Sequence, residues 1–233
     1  MSSPQLPLTL RWPAQQRFET FVSGDNGAAL ALVRAAAHGD PAWVFLSGPP
    51  ASGKSHLLLA ACAQASAQGR YAQYVSLAKL GDRAVDIRAL GGSDLLALDG
   101  VDAIARDAPA EHALFDLYNR CKMEKSTLLF CAEAPPAQLG FGLPDLVSRL
   151  ASCAQALLKP LDDASRRQAV RQRAQTRGLV LDDTVLDWLF AHTPRDLGSL
   201  SALVERIDHA ALAAQRRVTV PFLRDLLLRS GES

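Results

Sequence analysis

Between two apolar runs, the octapeptide Gly48-Pro49-Pro50-Ala51-Ser52-Gly53-Lys54-Ser55 fits G-x-x-x-x-G-K-[ST], and no other stretch constrains the chain as much. Trp43-Val44-Phe45-Leu46 precedes it as a buried strand, and His56 opens an alanine- and leucine-rich run with helical character. Phosphate oxygens need converging backbone N–H groups, which a loop turning into a helix N-terminus supplies together with the positive end of the helix dipole. Gly48 and Gly53 permit backbone approach that a β-carbon blocks. Lys54 can reach the β and γ phosphates, and the Ser55 hydroxyl can sit on Mg²⁺. Gly48 through His56 are therefore assigned to nucleotide binding, and Ser55 also to the metal. An ordinary glycine turn would need neither the strand before it nor the helix after it.

At 233 residues the chain suits one large domain, or a domain with a small appendage. Lys and Arg total 25 against 24 Asp and Glu, which argues against affinity carried by bulk attraction to nucleic acid or an anionic membrane. DNA contact is expected to be indirect or weak. Cys62, Cys121, Cys131 and Cys153 form no C-x-x-C pair, so free thiols in a reducing, cytoplasmic compartment are expected. Neither a secretory signal nor an apolar run of membrane-spanning length is visible.

Residues 1–11 read as an extended arm. Pro4 and Pro7 exclude a helix, and Leu6, Leu8 and Leu10 alternate at period two. The arm is either a strand packed on its own domain or a linear peptide whose leucines enter a partner's pocket. Strands are expected near 43–47, 71–77, 93–99, 127–131 and 154–158. Helical runs over 28–37, 54–67, 110–123 and 143–150 separate most of them, and 80–90 is ambiguous. Strands alternating with helices imply parallel crossovers and a three-layer α/β sandwich. The third strand, Leu95-Leu96-Ala97-Leu98-Asp99, ends in an acid at the sheet edge where ligands collect, and Asp99 is assigned to Mg²⁺.

After Lys159-Pro160 only helices are expected. Asp162 or Asp163 caps the first, Asp182 or Asp183 the second, Pro194 opens the third and Thr219-Val220-Pro221 the last. Arg166, Arg167, Arg171, Arg173 and Arg177 crowd the first of these and read as a solvated basic face. The expected organisation is an arm at 1–11, a nucleotide-binding domain at 12–160 and a helical domain at 161–233.

A phosphate loop, a strand ending in Asp99 and an all-helical C-terminal part together resemble an AAA+ nucleotide-binding module. Phe18-Glu19-Thr20-Phe21-Val22-Ser23-Gly24 resembles the segment that borders the adenine in DnaA, the bacterial replication initiator. Phe115-Asp116-Leu117-Tyr118-Asn119-Arg120, Pro135-Pro136-Ala137-Gln138-Leu139 and Gly142-Leu143-Pro144-Asp145-Leu146-Val147-Ser148-Arg149-Leu150 resemble the Hda family, DnaA-related proteins of regulatory inactivation of DnaA. Gln5-Leu6-Pro7-Leu8-Thr9-Leu10 is similar to the Q-L-x-L-x-L peptide that docks on the bacterial sliding clamp, with Gln5, Leu6, Leu8 and Leu10 as its contacts.

The resemblance implies an AAA+ sandwich with a helical lid, bound ADP or ATP with Mg²⁺, and two partners, the DNA polymerase III sliding clamp and DnaA. It leaves a homodimer open and implies negative regulation of replication initiation. Arg149 falls at the family's arginine-finger position, Arg195 at its lid sensor arginine and Glu133 at an acidic sensor position. The chain is expected to end after the lid, without DnaA's DNA-reading domain. One departure stands out: where many AAA+ ATPases place a second acid after the metal-holding Asp, this chain has Gly100. That implies a protein that holds nucleotide and hydrolyses it weakly or not at all. The alternatives are a helicase-loader or transposition-helper ATPase driven by its own ATP cycle, and an adaptor with a vestigial site.

Overall fold

The computed structural model describes residues 12–193, 197–214 and 216–228. Five parallel strands, β1 (Val44–Ser47), β2 (Ala72–Ser76), β3 (Leu95–Asp99), β4 (Thr127–Ala132) and β5 (Ala154–Leu157), form one sheet in the order β2-β3-β4-β1-β5. Alternate residues enter opposite layers, as a strand's period of two requires. Val44, Leu46, Leu95, Ala97, Leu129 and Cys131 face the core under α1 (Gly27–Ala37) and α2 (Lys54–Ala67). Phe45, Leu96, Leu98, Leu128 and Phe130 face the core under α3 (Arg83–Ala89), α4 (Ala108–Glu124) and α5 (Pro144–Ala151). Both faces are covered, so the strands are apolar throughout rather than alternating. Strand β1 lies between β4 and β5, which places the phosphate loop at its C-terminal end, near the middle of the sheet edge.

The helical ends follow local chemistry. Asp107 accepts from Ala110 N at 3.2 Å and Asp82 from Val85 N at 3.1 Å, satisfying donors that a first helical turn leaves open. The ambiguous stretch 80–90 is the short helix α3. In the C-terminal part, α6 (Asp163–Gln175) and α7 (Asp183–His192) are capped by Asp162 and Asp182, whose carboxylates accept from Ser165 N and Val185 N. With α8 (Leu197–Ala214) and α9 (Val220–Leu228) they enclose a separate core that includes Val170, Leu186, Leu189, Val204, Ile207 and Leu223. Among the described residues no helix is long and apolar enough to cross a membrane. All four cysteines are buried and free, and burial pushes the thiols of Cys62, Cys121 and Cys153 up to about 12, 11 and 12, away from reactive thiolate.

Two polar side chains hold the connections. Asn26, buried, donates its amide to Lys159 O at 3.0 Å and accepts from Lys159 N at 2.7 Å, locking the start of α1 to the joint between sheet and helical unit. Glu111, only 1% exposed, accepts from the backbone N–H groups of Arg106 (2.7 Å), Gly142 (3.1 Å) and Leu143 (2.8 Å). It thereby fixes the loop from which α5 starts. Replacing Glu111 by Ala strands three backbone donors and should cost about 3 kcal/mol of unfolding free energy in urea denaturation, since each unsatisfied buried group costs roughly 1–3 kcal/mol. A loss under about 1 kcal/mol would show that these donors find other partners.

Candidate functional site

The phosphate loop closes on its neighbours at the two glycines. Gly48 has φ +156°, and a β-carbon there would lie 2.6 Å from Leu158 O; one at Gly53, at φ +99°, would lie 2.7 Å from Phe21 Cε2. Only glycine lets the loop sit this close to both the exit of β5 and the Phe21 ring. Gly53 then caps α2, and Lys54 begins it. Lys54 Nζ donates to Gly48 O at 2.7 Å and Pro49 O at 2.8 Å, which arches the loop around the ammonium.

A cavity of about 270 Å³ lies against this loop. Ala51 to His56 form one wall, Thr20, Phe21 and Val22 a second, and Leu161 with α6 and α8 the roof. Six of the nine residues assigned to nucleotide binding thus line it, whereas Gly48, Pro49 and Pro50 shape the loop from outside. The buried Ser52 hydroxyl, on the cavity wall, has no hydrogen-bond partner among the described residues. His56 accepts the edge of the Phe21 ring at 5.4 Å, and its Nε2 lies 2.8 Å from Arg17 O. Burial, aided by the nearby Arg173 charge, lowers its pKa, so the neutral ring with hydrogen on Nε2 is the native form.

Asp99 ends β3, in register with Ser76 on one side and Cys131 on the other. Its carboxylate accepts from the Tyr74 hydroxyl and, at 2.7 Å, from Cys131 Sγ. Burial first, and then Asp99, push both donors' pKa values up, so both remain protonated. The Ser55 side chain lies close enough to the Tyr74 hydroxyl to lower its pKa against that rise. The two residues assigned to Mg²⁺ therefore meet at one phenol, a hydroxyl and a carboxylate side by side, which is a fitting donor pair for a hard cation that keeps most of its waters. The Tyr74–Cys131 frame has no sequence signature; only strand register reveals it. Gly100 follows at φ +74°, ψ 53°, its N–H on Cys131 O at 3.1 Å, a left-handed conformation that strains any acid placed there. Asp102 lies in the next turn and does not line the cavity, and Glu133 is exposed past the end of β4.

The basic face expected on α6 is corrected in one respect. Arg166, Arg167 and Arg177 pair with Asp163 (3.2 Å), Asp187 (2.5 Å) and Glu205 (2.8 Å), and Arg171 pairs with Asp183. Arg173 instead turns inward and lines the cavity. Arg195, assigned to the same site, lies outside the described residues, as do Gln5, Leu6, Leu8 and Leu10.

Residues 156–227 match the family model described as Hda, lid domain. The helical unit is thus similar to the lid of Hda. The fold as a whole is that of DnaA domain III: the domain from the Thermotoga maritima replication initiation protein DnaA aligns over 94% of this chain and 98% of its own, at 20% identity and TM-score 0.80. AMPPCP-bound DnaA from Aquifex aeolicus aligns over 84% of this chain and 66% of its own (21%, TM-score 0.68). The Thermotoga maritima RuvB Holliday junction branch migration motor aligns over 91% and 72% (16%, TM-score 0.61). At these identities the likeness speaks for an AAA+ fold, here with its parallel sheet followed by an Hda-type lid.

Arg149 is far from this cavity in the sheet's frame. It lies exposed near the end of α5, its guanidinium carbon 5.9 Å from the Tyr118 ring centroid. Tyr118 packs edge-on against Trp43 at 4.5 Å, and Trp43, just before β1, accepts from Ala154 N at the start of β5 and donates to Ser126 O just before β4. Arg149 thus stands at the N-terminal end of the strands, and the phosphate loop at the opposite end. The length of β1 alone separates the two by about 10 Å.

His56 yields a pH prediction. A histidine kept neutral in the fold but free to protonate near pH 6.5 when unfolded contributes stability that is present above that pH and is lost as pH falls towards its lower folded value. The wild type should therefore lose more melting temperature between pH 7.5 and 5.5 than His56→Gln, whose amide can still donate to Arg17 O. Equal losses would remove the assignment.

Proposed function

We propose that this chain is an Hda-type negative regulator of replication initiation, a resident-nucleotide AAA+ protein that activates hydrolysis of ATP bound to DnaA. The observation that carries the reading is the separation of Arg149 from the chain's own phosphate loop. An exposed arginine stacked on an aromatic cluster at the far end of the sheet is suited to a nucleotide held by another molecule. An arginine delivered in this way neutralises charge developing on the transferred γ-phosphoryl. The DnaA-like fold and the Hda-type lid make ATP–DnaA the favoured recipient.

In this reading the cavity under the lid holds ADP as a structural ligand. The loop N–H groups and Lys54 bind its phosphates, Phe21 and Val22 border its base, Arg195 reaches it from the lid, and Ser55 with Asp99 hold Mg²⁺. The metal, when bound, supplies charge neutralisation for the phosphates. Asp99 is held in place by Tyr74 and Cys131 and therefore orients rather than transfers a proton. Gly100 supplies no base for the attacking water, which weighs against the helicase-loader alternative. A nucleotide that binds the folded state alone stabilises it by mass action. The arm through Gln5, Leu6, Leu8 and Leu10 anchors the protein to the sliding clamp, delivering it to DnaA near replicating DNA in the cytoplasm.

In a reconstitution with ATP–DnaA and DNA-loaded clamp, Arg149→Ala should lower stimulated hydrolysis by on the order of 10³-fold with clamp binding intact. Undiminished hydrolysis would remove the finger. Leu6→Ala combined with Leu8→Ala should instead abolish clamp capture in gel filtration, and a surviving complex would sink the peptide reading.

A further inference from the structure

The cavity under the lid has a one-sided charge. Among the described residues that line it, the ionisable ones are Lys54, His56 and Arg173, and none is Asp or Glu. Lys54 is engaged by the loop carbonyls, and Arg173 faces the cavity from the lid side.

Arg173 differs from the other arginines of α6 and its C-terminal end. Arg166, Arg167, Arg171 and Arg177 each pair with a carboxylate, whereas among the described residues Arg173 pairs with none. Glu205, the acid acting on it, is hydrogen-bonded to Arg177 at 2.8 Å. Arg173 donates instead to the neutral Ser201 hydroxyl on α8. A guanidinium cannot discharge itself at neutral pH, so withdrawing it from water without an anion is costly. Across the cavity, the buried Ser52 hydroxyl likewise has no partner among the described residues. A half-buried cation, a hydroxyl and a phosphate loop around a space with no acid among its described lining residues call for the same ligand, an oxyanion.

We propose that Arg173 is a phosphate-binding residue of the lid, closing on the diphosphate of a bound adenine nucleotide from the side opposite the loop amides. The planar guanidinium presents several N–H donors in a fixed fork that matches phosphate oxygens. Its bond to Ser201 places the same side chain against α8, so nucleotide occupancy is felt by two lid helices at once. A second tether runs alongside: Gln172 Nε2 donates to Glu19 O at 3.1 Å, holding α6 over the segment that carries Phe21. The assignment rests on the reading of the cavity as a nucleotide site and adds a lid contact that the basic-helix pattern concealed.

Isothermal titration of the full-length, nucleotide-stripped protein with ADP and with adenosine, both with Mg²⁺, tests the two readings separately. Arg173→Gln, which can still hydrogen-bond Ser201, and Arg173→Ala should each weaken ADP by about 10- to 100-fold, the scale of one charge-assisted contact, and leave adenosine unchanged. Arg173→Lys should recover part of the loss. If Arg173→Ala fails to fold by circular dichroism, the Gln and Lys variants decide. ADP binding as in the wild type, or equal losses for ADP and adenosine, would overturn the phosphate role while leaving the cavity reading in place. Failure of the wild type to bind ADP, or ADP binding undiminished in Lys54→Ala, would overturn the cavity reading and this assignment with it.

Discussion

The approach of Gly48 to the carbonyl of Leu158 is the contact on which the arrangement depends. A β-carbon at Gly48 would fall 2.6 Å from that oxygen, so the phosphate loop can lie against the exit of β5 only because the side chain is absent. The next residue, Lys159, is gripped on both its N–H and its C=O by the buried amide of Asn26. Three elements distant in sequence, the approach to α1, the phosphate loop and the joint of the lid, therefore meet within a few residues. Wherever the loop goes, the lid joint goes with it.

Charge is distributed unevenly across that meeting point. The acid expected to manage a metal, Asp99, is recessed behind Tyr74 and Cys131, while the cavity itself is bounded by bases and hydroxyls. Both Asp99 partners are protonated donors, so the carboxylate is fixed as an acceptor. Gly100, in a left-handed conformation with its N–H on Cys131 O, belongs to the same frame. A site built this way suits retention of a nucleotide, and the chemistry proposed for the protein is correspondingly located at the other end of the sheet, where Arg149 rests on Tyr118.

That division explains the roles of two carboxylates, the buried Glu111 and the half-buried Asp99. Glu111 spends its charge on three backbone donors and steadies the loop leading to α5, so it supports Arg149 from a distance. Asp99 does the equivalent for the nucleotide end. Neither has an ion-pair partner among the described residues; Glu111 accepts three backbone N–H groups, and Asp99 a phenol and a thiol.

Much of this was legible in the sequence because it is local. Apolar runs marked strands β1, β3 and β4, capping aspartates marked lid helices α6 and α7, and the spacing of Gly48, Gly53, Lys54 and Ser55 named the loop, since each of these signals is a property of neighbouring residues. The arginines of 166–177 were the instructive failure: five basic residues in one short stretch look alike in sequence, and only the packing of α6 against α8 and the loop turned Arg173 inward while its neighbours found carboxylates. The same holds for Tyr74 and Cys131, whose place beside Asp99 comes from strand register, and for Asn26, whose partner is 133 residues away. Sequence determined the elements and the phosphate loop, whose geometry is set over a few bonds. Tertiary structure decided which identical side chains face the cavity, because burial and partnership depend on what long-range packing brings alongside.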